Sequence, residues 1–143
     1  MARILPPDLE LWLCTYLRGI LDVELGPGTA TVSNKEPGTY TGPTPLVVIR
    51  SDGGPADDTY PGQWYWQVGV SVLAGASRQD DQPANDIACH VLAILTEEPE
   101  ILLADGSPIT KVSAIGGITP IREEHDTARR YMTVEYHVVG TVQ

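Results

Sequence analysis

The sequence predicts an α+β fold: a mostly antiparallel β-sheet packed on one face by two α-helices, a two-layer sandwich. Three observations predict it. Two segments, one from Asp8 to about Leu21 and one from Asp81 or Gln82 to before Pro99, carry apolar side chains at helical spacing. Two others, Trp64 to Ala74 and Arg130 to Val139, alternate apolar and polar residues with a period of two. Loops rich in Pro and Gly separate the strands, so strand neighbours are expected to pair as antiparallel hairpins, and two amphipathic helices need one sheet face to cover. At 143 residues the chain is one domain, 1–143. That length buries roughly two-thirds of the unfolded surface, enough to fold without disulfides or metals.

The first helix is expected after Pro6-Pro7, with Asp8 as cap or first-turn acid, and runs to about Leu21. Asp8 and Glu10 lie at its positive end and Arg18 near its negative end, as the macrodipole favours. Leu9, Trp12, Leu13, Tyr16, Leu17, Ile20 and Leu21 share one wide stripe, and Leu11 falls off it. Gly26-Pro27-Gly28 breaks the chain before a short strand near Thr29 to Ser33. Asn34 to Pro45 holds three Pro and two Gly and reads as a loop. Leu46 to Arg50 reads as a buried strand, followed by a second long connection, Ser51 to Gln63.

Trp64 to Ala74 is the clearest strand. Trp64, Trp66, Val68, Val70, Val72 and Ala74 point one way, and Tyr65, Gln67, Gly69 and Ser71 the other. The second helix starts with Asp81 or Gln82 near the cap and Pro83 in the first turn. Its apolar arc comprises Ala84, Ile87, Ala88, Val91, Leu92, Ile94 and Leu95, and Pro99 is expected to end it. Ile109 to Ile118 reads as a strand interrupted by Gly116-Gly117. The last strand, Arg130 to Val139, sets Met132, Val134, Tyr136 and Val138 against Thr133, Glu135 and His137.

Composition narrows the function classes. With 19 acidic and 9 basic residues the formal charge is −10. Such a surface repels phosphate and anionic lipid, which argues against gripping DNA or docking on a membrane. The acids form small groups: Asp57-Asp58, Asp80-Asp81, Glu97-Glu98 with Glu100, and Glu123-Glu124 with Asp126. No uninterrupted apolar run approaches a membrane span, and no signal-peptide pattern opens the chain. Cys14 and Cys89 both fall in helices and read as small buried side chains, which fits synthesis in a reducing cytoplasm. With no Phe, the aromatic part of the core must come from three Trp and six Tyr.

No motif carries catalytic chemistry. Cys89-His90 are neighbours on a helix, pointing about 100° apart, so they do not readily grip one atom between them. His125 and His137 lack the local partners of a zinc site. Asp52, Asp57 and Asp58 lack calcium-loop spacing and read as a bare acidic loop. Gly53-Gly54 and Gly116-Gly117 precede neither a helix nor a phosphate-binding Lys and read as turn or bulge glycines. The chain is expected not to be an enzyme and to need no cofactor and no metal.

Three segments together carry a family resemblance. They are the N-terminal amphipathic helix, Asp8 to Leu21, and the block Trp64 to Glu97, in which a long strand passes through Gly75-Ala76-Ser77 into the helix that begins Asn85-Asp86-Ile87-Ala88. The third is the C-terminal block: a Gly-Gly strand, Pro120-Ile121-Arg122-Glu123, a spacer, then Arg130-Tyr131-Met132 opening the last strand. In this order and size the chain resembles the tail terminator (tail completion) proteins of long-tailed, siphovirus-type bacteriophages, over most of its length. The resemblance implies a hexameric ring that caps the head-proximal end of the tail tube, stops tube polymerisation and offers a docking surface to the neck. The implied partners are further copies of this chain, the tail tube protein and a neck or head-completion protein. The resemblance further implies that DNA passes through the lumen without specific binding, that the protein resides in the virion at the head-proximal end of the tail, and that assembly takes place in the host cytoplasm. Long connections suited to interaction and an acidic surface that does not adhere to DNA agree with this.

Capping by geometry needs two contact surfaces. The expected contacts are the loop Ser51 to Gln63, with Asp57, Asp58, Tyr60 and Trp64, and the acidic loop Arg122 to Arg129 with its flank, including Glu123, Glu124, Arg129 and Arg130. The strand end from Val139 to Gln143 is the third candidate. Tyr60 and Trp64 are candidate aromatic anchors, although Trp64 also suits core packing. The alternatives are a head-completion or connector protein of the neck, or a small ligand-binding module or enzyme, which needs a deep pocket with convergent polar groups.

Overall fold

A computed structural model describes residues 3–38, 40, 44–75, 81–121 and 128–143. The chain runs β1 (Ile4–Leu5), α1 (Leu9–Glu24), β2 (Thr31–Ser33), β3 (Leu46–Gly53), β4 (Gln63–Ala74), α2 (Gln82–Leu95), α3 (Glu100–Leu103), β5 (Ile109–Ile121), β6 (Ala128–Val139) and β7 (Thr141–Val142). It is the expected α+β arrangement, a five-stranded, mostly antiparallel sheet with both long helices on one face.

Asp8 caps α1 as its sequence position suggests, its carboxylate accepting from the Leu11 amide at 3.1 Å. Leu9, Leu13, Cys14, Leu17 and Leu21 are buried, Trp12, Tyr16 and Ile20 pack at the margin, and Leu11 is 63% exposed. The helix continues to Glu24, beyond the expected end at Leu21. Arg18 is therefore not in the last turn. Its guanidinium donates to the Val32 carbonyl at 2.8 Å, tying the helix to β2 instead of meeting the helix dipole.

The sheet order is β2-β3-β4-β6-β5, with β4 and β6 paired continuously from Gln63↔Val139 to Ala74↔Ala128. One expectation fails here: β2 and β3 are parallel, not a hairpin. The twelve residues 34–45 between them suffice to carry the chain back to the same end of the sheet, the length a parallel crossover requires. On β4 and β6 the predicted alternation holds. Val68, Val70, Val72, Met132, Val134, Tyr136 and Val138 are each at most 1% exposed and face the helices. β5 extends to Ile121 and shifts register between Gly116 and Thr119, at the predicted interruption.

α2 starts at Gln82 with Pro83 in its first turn, yet Asp81 at the cap position makes no capping bond; its carboxylate pairs with Arg130 at 3.0 Å. Pro99 does not end this helix. The helix closes at Leu95, and Pro99 opens the short α3, which seats Ile101 in the core. Tyr136, fully buried in the middle of the core, donates its hydroxyl to the Leu95 carbonyl at 2.6 Å, and burial pushes its phenol far up. Burying each large side chain of this core contributes about 1.5–3 kcal/mol. Cys14 is buried and its thiol is raised chiefly by desolvation, whereas Cys89 is exposed, against expectation. Position 89 lies one residue beyond Ala88, on the shoulder of the helix that α1 and the sheet leave open. Among the described residues no helix is long and apolar enough to cross a membrane.

Besides α3, two elements have no counterpart in the sequence pattern. β1 and β7, two residues each, pair antiparallel as a separate ribbon at the chain ends, Ile4 opposite Val142. On the helix-free face, Leu46, Val48 and Leu73 form a second small apolar cluster. It is closed by Tyr40, whose hydroxyl donates to the carbonyls of Thr44 and Leu73.

Candidate assembly surfaces

The candidate contacts divide between the two ends of β4 and β6. Twelve-residue strands separate those ends by about 36 Å.

At one end, the loop after β3 folds onto the helix-free face. Asp57 organises it. Its carboxylate accepts from the amides of Thr59 at 2.8 Å and Tyr60 at 3.2 Å, and its other oxygen meets His137 Nε2 at 2.9 Å. The Thr59 amide, followed by the His137 side chain, holds the Asp57 carboxyl below its ordinary range. The second imidazole nitrogen faces the Thr110 hydroxyl, which also bonds the His137 carbonyl at 3.1 Å, and the Tyr65 ring lies 4.6 Å from the imidazole. Backbone bonds from Asp57 to Gln63 and from Tyr65 to Pro55 close the loop. Gly54 is needed there, since a Cβ would overlap the Tyr65 carbonyl. Asp57 is thus an internal staple, while Asp58 and Tyr60 stand outward, Tyr60 58% exposed.

Beside this loop lies the β1–β7 ribbon. Ile4, Leu5, Leu11, Val139 and Val142 are all exposed apolar side chains of this end. Pro7, Leu11, Trp12, Pro108 and Val139 line a pocket of about 500 Å³ against it. Trp64 belongs to the inner side: its ring packs on Trp66 at 5.7 Å and on the core, so Tyr60 is the exposed aromatic of the two anchors.

At the other end, Arg129 and Arg130 are committed to the fold. Arg129 reaches Glu36 at 2.6 Å and ties the loop after β2 to β6; Arg130 reaches Asp81 and, at 3.4 Å, Asn85, tying α2 to the same strand. Glu123, Glu124 and His125 lie outside the described residues. Next to Arg129 a pocket of about 480 Å³ opens on the helix-free face, lined by Asn34, Lys35, Glu36, Val48, Arg50, Ser71 and Arg129. Sequence reading missed both this pocket and the Asp57–His137–Thr110 chain. Their members lie 27 and 80 positions apart in the second case, and no local spacing brings them together.

Among the described residues no three His, Cys, Asp or Glu converge as a metal-binding group. The Asp57–His137–Thr110 chain presents a carboxylate and a hydroxyl to the two sides of one imidazole, and its evident work is to fasten the loop to the sheet. No protein-family model matches the chain, and no curated protein matches it significantly.

Proposed function

We propose that this protein is a tail-terminator-type assembly protein, a ring subunit that caps the head-proximal end of a phage tail tube and presents its other side to the neck. One observation carries the reading furthest. A single stiff sheet holds an apolar, aromatic-tipped surface at one end and a charged surface about 36 Å away at the other, the arrangement of a part that joins two different neighbours. The apolar end, with Leu11, Tyr60 and Val142 outward, suits the tightly packed contact with a tube ring. The acidic balance suits a lumen that lets DNA slide past.

Electron microscopy of particles from a phage carrying a nonsense mutation in this gene tests the proposal. Filled heads beside unjoined, overlong or irregular tails support it. Normal-length free tails beside leaking heads transfer the protein to the head side of the neck, and intact infectious particles sink the assembly role.

A further inference from the structure

The pocket on the helix-free face has the makings of a receptor for an acidic group. Ser71, on β4, forms its floor. It is the one polar residue in the buried class among those described, at 9% exposure, and its hydroxyl has no hydrogen-bond partner among them. Strand alternation turns that hydroxyl away from the helices and into the pocket. The oxygen stays open to solvent, so the hydroxyl can exchange water for a ligand oxygen.

Two cations stand around it. Lys35, on the loop after β2, and Arg50, on β3, line the same pocket and form no ion pair among the described residues. In a chain with 19 acids and 9 bases, two neighbouring cations without an ion pair among the described residues are the unusual case, because acids are the abundant partner. Glu36, which also lines the pocket, pairs with Arg129 at 2.6 Å. A guanidinium, an ammonium and a hydroxyl around one apolar wall, Val48, match a carboxylate on a short side chain. An extended polyanion does not fit, because the remaining surface repels it.

We propose that this pocket receives a carboxylate from a second copy of this chain, and that the donor is Asp58. Charge complementarity selects the copy. Two molecules of net charge −10 repel except where a cationic hollow meets an acidic projection. Asp58 selects itself among the acids: it is exposed, has no ion-pair or side-chain hydrogen-bond partner among the described residues, and stands two positions from the exposed Tyr60 on the stapled loop. Donor and receptor lie toward opposite ends of one sheet face, so the contact is head-to-tail, the kind that closes into rings. This inference rests on the assembly reading and supplies its subunit-to-subunit contact.

Sedimentation velocity of the full chain over a concentration series, at low and high salt, tests it. Lys35 and Arg50 are exposed, so the variant K35E/R50E keeps the core intact, which its thermal unfolding verifies. The expected result is wild-type self-association that weakens with salt and drops roughly a hundredfold in K35E/R50E. Adding Asp58→Lys to that background restores it by exchanging the two charges. A wild-type chain that stays monomeric, an unchanged association constant in K35E/R50E, or a triple variant that stays dissociated each overturns the proposal. Particle microscopy separates this failure from that of the tail role, since irregular tails in the absence of a chain that is monomeric in solution would retain the role and discard the contact.

Discussion

The two faces of the sheet are built by different physics. The face toward α1 and α2 is packed mainly by aliphatic side chains, with the buried Tyr136 hydroxyl satisfied by the Leu95 carbonyl. Among the described residues, the opposite face is covered near its two ends, by loops held through a few directed bonds from Tyr40 and Asp57. Area burial stabilises the first face, roughly in proportion to the surface removed from water. Geometry holds the second, so its loops can be altered without unfolding the domain. The surfaces proposed for assembly both lie on or beside that second face.

This contrast makes graded predictions. The largest effect belongs to the helix-covered face: Leu13→Ala, at a fully buried position, is expected to destabilise the domain by about 2–5 kcal/mol in urea unfolding. A loss under about 1 kcal/mol there would mean the helix layer is only loosely packed. Tyr136→Phe keeps the ring and strands the Leu95 carbonyl, so a loss of about 1–3 kcal/mol is expected in the same measurement. On the open face, Tyr40→Phe removes bonds to Thr44 and Leu73 while keeping the apolar lid, and a smaller loss of about 0.5–1.5 kcal/mol is expected. If Tyr40→Phe proves as damaging as Tyr136→Phe, the division between the faces fails.

The smallest global effect, with the clearest local one, concerns Asp57. Its carboxyl is held below the ordinary value in the folded state. The contribution is therefore fully present above the unfolded value, about 3.9, and is lost as pH falls through the lower folded one. Amide exchange at Thr59 and Tyr60 should speed up below about pH 4, ahead of the core strands, and Asp57→Asn should bring the same release to neutral pH. Equal protection of loop and core down to acid unfolding would show that backbone bonds alone hold the loop.

Sequence reading reached the helix-covered face and little of the other. Periodicity exposed α1, α2, β4 and β6 because each is long and buries one side, and that burial is what selects the apolar residues. The Asp8 cap was legible because a helix start needs a side-chain acceptor, and the Gly116-Gly117 interruption because glycine marks an irregular strand; at Gly116 a Cβ would collide with Thr133. Arg18 and Pro99 misled, since each was assigned to the nearest helix end while its actual partner or element was set by tertiary packing. Of the candidate contacts, Tyr60 and Asp58 are outward, whereas Asp57, Arg129 and Arg130 are engaged within the domain and Trp64 packs on its core.

By itself, then, the sequence determined the layer architecture, the faces of the central strands and the acidic character of the surface, because these depend on composition and on spacing within ten or so residues. Tertiary structure alone decided the parallel β2–β3 pair, the β1–β7 ribbon, the Asp57–His137–Thr110 staple and the pocket around Ser71. Each of these joins residues far apart in the chain through one or two directional contacts. Such contacts impose no repeating pattern on the residues between them, so only the folded chain brings them together.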